Sequence, residues 1–120
     1  MKDNIGFIKS KKFALRIIHL YRYLVDMKKE FVLSNQLLRS GTSIGANLAE
    51  AECAMTRKDF ILKVYIALKE CAETQYWLDL LYESVIITEK EYKSIYADCN
   101  ELTRILTATT KTMKNRSSNN

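Results

Sequence analysis

Residues 37–52, LLRSGTSIGANLAEAE, read as one helix with two faces of opposite chemistry. At about 100° per residue, Leu37, Gly41, Ile44, Leu48, Ala51 and Met55 fall on one stripe, and Arg39, Ser43, Asn47 and Glu50 fall nearly opposite. The first stripe suits packing. The second is polar, yet Ala46, Ala49, Cys53 and Ala54 border it in place of the Lys and Glu of an ordinary solvated face.

Working outward, the chain repeats this amphipathic pattern three more times. Upstream, residues 1–9 read as a flexible leader, and a first helix is expected from Ser10 as N-cap, with Phe13, Ile17, Leu20, Leu24, Met27 and Phe31 as a heptad seam. Lys28, Lys29 and Glu30 end it, and Ser34 is the expected N-cap of the second helix. Downstream, Thr56-Arg57-Lys58-Asp59 and Thr88-Glu89-Lys90-Glu91 have the form of capping boxes. They open a third helix with Phe60, Val64, Ala67, Cys71, Thr74, Leu78 and Leu81 on its seam. The fourth carries Tyr92, Ile95, Cys99, Leu102, Leu106, Thr109 and Met113. A disordered basic and polar tail is expected over 114–120.

Four such helices joined by short links predict an all-α, up-down-up-down antiparallel four-helix bundle over residues 10–113, as one domain. The absence of Pro and the presence of only three Gly in 120 residues support a helical chain. Gly41, Ala51 and Ala67 at seam positions need large partners opposite, such as Phe13 or Phe60. No apolar run approaches the roughly 18 residues of a membrane span, and MKDNIGFIKSKK has no signal-peptide core, so a cytoplasmic protein without a membrane partner is expected. Cys53, Cys71 and Cys99 are odd in number and widely spaced, which suits reduced thiols.

Catalytic and metal chemistry find no foothold. His19 is the single histidine and has no ligand partners at metal spacing, and a di-iron bundle needs Glu-x-x-His on two helices. SGTSIG lacks the Gly-Lys-Ser/Thr ending of a phosphate-binding loop. No enzyme, cofactor or metal is expected. Arg39, Ser43, Asn47 and Glu50, with Glu73 on the next helix as a partner for Arg39, form either a buried network that fixes register or a subunit boundary, or an exposed binding face. The flanking alanines favour the structural role.

The run Arg39, Ser43, Ile44, Asn47, Leu48, Ala49 and Glu50, followed by Lys58, Phe60, Tyr65, Ile66, Ala67 and Glu73, resembles the bacterial four-helix-bundle family encoded in intervening sequences of 23S rRNA genes. Leu38 and Ala51 depart from the family pattern, which often has arginine and usually glycine there. The resemblance implies a left-handed bundle that assembles as a homopentameric barrel, and it does not imply an enzyme. It also implies similarity to the accessory proteins of diversity-generating retroelements, basic barrels that bind nucleic acid and a reverse transcriptase.

Charge adds an independent expectation. Residues 1–30 hold eight Lys and Arg against three Asp and Glu, and the formal net charge of +5 arises there and in the tail. In an up-down bundle the start of the first helix meets the end of the fourth, so Lys9, Lys11 and Lys12 are expected to form a basic rim with Lys111, Lys114 and Arg116, able to attract RNA or DNA phosphates with low sequence specificity. The alternative is a scaffold oligomer with a protein partner; second apolar rows such as Ala14, Ile18, Tyr21 and Val25 either widen the core of the bundle or serve self-association.

Overall fold

A computed structural model describes residues 4–118 and places them in four α-helices: α1 (Ile5–Asp26), α2 (Val32–Glu52), α3 (Arg57–Glu83) and α4 (Glu89–Ser118). There is no strand among the described residues. Each helix packs on the next, α4 returns to α1, and no diagonal pair approaches as closely. The result is the expected up-down-up-down bundle, a rod of 52 × 22 × 22 Å.

The core is built from the predicted seams. Phe13, Ile17 and Leu24 of α1 meet Leu37, Ile44, Leu48 and Ala51 of α2, all buried. From the other side come Val64, Ala67, Cys71, Leu78 and Leu81 of α3 and Ile95, Cys99, Leu102 and Leu106 of α4. Gly41 sets the α1–α2 spacing, and its large partner is Ile17: a Cβ there would lie 2.8 Å from Ile17 Cγ1. Near the middle of the core, the hydroxyls of Thr74 and Ser40 lie 2.9 Å apart, and Thr74 Oγ1 donates to the Glu70 carbonyl at 2.7 Å. The pair is satisfied within the protein, as buried hydroxyls must be.

Helix boundaries separate the strong local signals from the weak ones. The α4 capping box is reciprocal: Glu91 N–H donates to Thr88 Oγ1 at 3.1 Å, and Thr88 N–H donates to Glu91 Oε1 at 2.8 Å. Thr56 caps α3 through Asp59 N–H at 3.0 Å. Two other starts differ from expectation. α1 begins at Ile5, so residues 5–9 of the expected leader are helical. Asn4 is the cap, its Oδ1 accepting from Phe7 N–H, while Ser10 is buried within the helix and bonds the Phe7 carbonyl. At α2, the Glu30 carboxylate accepts from the N–H groups of Val32, Leu33 and Ser34, so the helix starts two residues before Ser34. Seam residues beyond the helix ends are also corrected: Met27, Phe31 and Met55 are exposed because the chain has left its helical course there. At the far end α4 continues to Ser118 with no Pro or Gly to stop it, so residues 114–118 of the expected tail are helical. Residues 1–3 and 119–120 of the expected leader and tail lie outside the described residues.

Candidate functional site

The polar stripe of α2 keeps its line, but its side chains divide into three separate arrangements. Arg39 crosses to α3, meeting Glu70 at 3.5 Å and forming a closer ion pair with Glu73. Trp77 Nε1 donates to the same Glu73 oxygen at 3.1 Å, and Tyr76 stands edge-on to the indole with centroids 5.1 Å apart. Ser43 and Asn47 turn back on their own helix, donating to the carbonyls of Arg39 and Ser43 at 2.6 and 2.9 Å. Glu50 accepts from Lys63 of α3 at 2.7 Å. In the single chain the stripe is therefore a half-exposed outer face of α2 and α3 and not a buried network. Ala46 and Ala49 are too short to cover it, and among the described residues no other element lies across it.

The cations fall into two groups along the rod. Lys9 is bridged to Glu101 at 3.1 Å. That contact fixes the level of α1 against α4, so Lys111 and Lys114 lie roughly 15 and 20 Å further along. Lys11 and Lys12 are exposed on the outer side of α1 and do not meet that second group. What does share the end with Lys111, Lys114 and Arg116 is the start of α3. Lys114 Nζ sits over the ring of Tyr65, 4.8 Å from its centroid, and Lys58 stands two turns before Tyr65 on the same side of α3. Arg57 adjoins it. Sequence reasoning misses these two residues because TRKD has the form of a helix start and nothing more, although an antiparallel topology puts that start beside the end of the fourth helix.

Groups able to do chemistry are scattered or sequestered. His19 is exposed and lines a cleft of about 270 Å³ with Arg16, Leu20, Tyr23, Glu91 and Ile95. Arg16 is already occupied, donating to Asp98 at 2.7 Å and to the Ser94 carbonyl and hydroxyl at 3.2 and 2.6 Å. The Cys99 Sγ donates to the Cys71 carbonyl at 3.5 Å, and contact with the Cys71 thiol and burial push the Cys99 pKa up and hold it protonated. The Tyr92 hydroxyl donates to Asp79 at 2.6 Å, a bond that raises its pKa well above the usual phenol range. Among the described residues no cluster of His, Cys, Asp and Glu could hold a metal ion, and no helix is long and apolar enough to cross a membrane. The arrangement presents exposed cationic and apolar surfaces.

Fold and site together define an antiparallel four-helix bundle. The chain belongs to the family of 23S rRNA-intervening sequence proteins, whose sequence model matches residues 2–108. Among solved structures it is similar to a crystal structure of a protein of unknown function from the S23 ribosomal protein family of Bacteroides thetaiotaomicron. The two are 54% identical, with a TM-score of 0.90 over 92% of this chain and 99% of that one. No curated protein matches the sequence.

Proposed function

We propose that this protein is a non-enzymatic, self-associating bundle that works in the cytoplasm and binds RNA or DNA through phosphate contacts at the end of the rod where α3 begins and α4 finishes. The observation that carries the reading is the cluster Arg57, Lys58, Lys111, Lys114 and Arg116, all exposed and in no ion pair among the described residues. Among the described residues Glu52 and Asp59 are the acidic ones nearest that end, against five cations. Repeated around an oligomer, a pentamer by family resemblance, such an end becomes a positive rim that concentrates phosphate. Nothing in it reads base edges, so binding is of low sequence specificity. The family description refers to 23S rRNA, which makes structured RNA the first ligand to test.

The test is a fluorescence-anisotropy titration with structured RNA and duplex DNA across a series of salt concentrations. Affinity is expected to fall log-linearly with salt. With duplex DNA, Lys58→Gln, Lys111→Gln and Lys114→Gln should each flatten the slope by roughly 0.9 for every phosphate no longer neutralised. Absence of binding at low salt overturns the reading. The second reading, a scaffold with a protein partner, is favoured by a different observation: Arg39, Trp77 and exposed Tyr76 gather on the outer α2–α3 face, the residue types that dominate binding energy at protein interfaces.

A further inference from the structure

Tyr65 stands among the cations where α3 begins and α4 finishes. Its ring is half-buried, and the ammonium of Lys114 lies over it, 4.8 Å from the centroid. Side chains lean toward the N-terminus of their own helix, so Tyr65 leans toward this end of the rod and Lys114 leans back along α4 to meet it. Lys114 is exposed and in no ion pair among the described residues, so this cover over the ring is a solvated, flexible stem and not core packing. Equal steps toward this end from the contact of Cys99 with Cys71 lead to Lys58 on α3 and to the turn of α4 that carries Lys111 and Lys114. An aromatic face and ammonium groups from two helices thus share one stretch of the α3–α4 surface.

We infer that this stretch takes an unpaired nucleic-acid strand, with one base stacked on Tyr65 and the adjoining phosphates held by Lys58, Lys111 and Lys114. This rests on the nucleic-acid binding proposed above and names the form of strand that is bound. The ring attracts an ammonium through its negative face. A base lays a larger flat surface on the same face, and the ammonium that it displaces is left beside the phosphate of the incoming strand. Stacking of this kind accepts any base, as low sequence specificity requires. A duplex meets the cations alone, because its bases are stacked on one another and offer no free face. An acidic peptide satisfies the lysines and leaves the ring as it is.

The test is an anisotropy titration of the full chain with labelled oligo-U and oligo-dT, which have little structure of their own, and with duplex DNA, across a salt series. Circular dichroism confirms that each variant folds. Counterion release sets the slope of log affinity against log salt, whereas stacking shifts the line and keeps its slope. Tyr65→Leu is expected to lower single-strand affinity roughly 5- to 100-fold at every salt concentration, with the slope and the duplex affinity unchanged, and Tyr65→Phe to stay near wild type. Lys114→Gln should instead flatten the single-strand slope by about 0.7. Trp77 is the single tryptophan, so a Tyr65→Trp/Trp77→Phe chain carries its one indole at position 65, and both oligomers are expected to quench its emission. The tighter of the two at matched salt identifies the strand as RNA or DNA, and equal affinity means that either is taken. If Tyr65→Leu leaves single-strand affinity unchanged, or lowers duplex affinity by as much, the stacking inference fails and the phosphate-binding reading stands. Quenching by duplex DNA as strong as that by the single strands also overturns it. No binding of any probe at low salt overturns both.

Discussion

Val85 holds a left-handed backbone conformation, φ 64°, where α3 stops. The geometry is a Schellman end: Val85 N–H donates to the Tyr82 carbonyl and Ile86 N–H to the Leu81 carbonyl, each at 2.9 Å. Glycine is the usual residue there, and a β-branched side chain is among the least suited to it. Its side chain is 85% exposed, so little packing is lost on removing it. Val85→Gly is expected to stabilise the protein by about 1 kcal/mol, read from the midpoint of urea unfolding. Gly41 shows the opposite case. Alanine would improve helix propensity by about 1 kcal/mol, but its Cβ would fall 2.8 and 2.9 Å from two carbons of the fully buried Ile17. Gly41→Ala should therefore lower stability by a net of roughly 1–2 kcal/mol, visible as a lower Tm. Tyr92 makes a pH prediction. Its bond to Asp79 raises its folded pKa above the unfolded value of about 10, so the contribution is intact below that pH and is lost as pH rises through the folded value. The alkaline limb of Tm against pH should be shallower in Tyr92→Phe.

At the scale of the helix, the ends of α3 and α4 show what short-range sequence can specify. Thr56 and Thr88 each bond a backbone N–H three residues on, and in the second box Glu91 returns the bond. Such a signal needs no tertiary partner and is legible in the sequence as it stands. Thr88→Ala is expected to cost about 1 kcal/mol, and combining it with Glu91→Ala should cost less than the sum of the two, since they share one motif. Differential scanning calorimetry on the three variants checks both statements. The starts of α1 and α2 are not legible in this way. Asn4 and Ser10 are both competent caps, and what decides between them is that residues 5–9 have α4 to lie on: a Cβ at Gly6 would stand 3.4 Å from Ile105 and Leu106. In α2 a glutamate outside the helix displaces the expected serine, because a longer side chain reaches three N–H groups at once.

For the molecule as a whole, α4 outlasts its partners. Over residues 111–116 its side chains are exposed or half-buried, and Lys114 reaches Tyr65 by its ammonium group. Removing residues 112–120 is expected to leave the helical bundle folded by circular dichroism while weakening RNA binding, because the deletion takes away Lys114 and Arg116 but little of the core. The number and type of helices, their antiparallel order and most of the core were determined by the sequence alone. Heptad spacing fixes which side of each helix is buried, and short links leave no other way to fold back. Only the tertiary structure decided which polar and charged residues meet. Whether Arg39 finds Glu73, whether Lys9 is taken by Glu101, and whether Lys111 and Lys114 stand beside Lys58 instead of Lys11 depend on how far each helix is shifted along its neighbour. Periodicity repeats every turn and so carries no information about that shift; close contacts such as Gly41 on Ile17 set it.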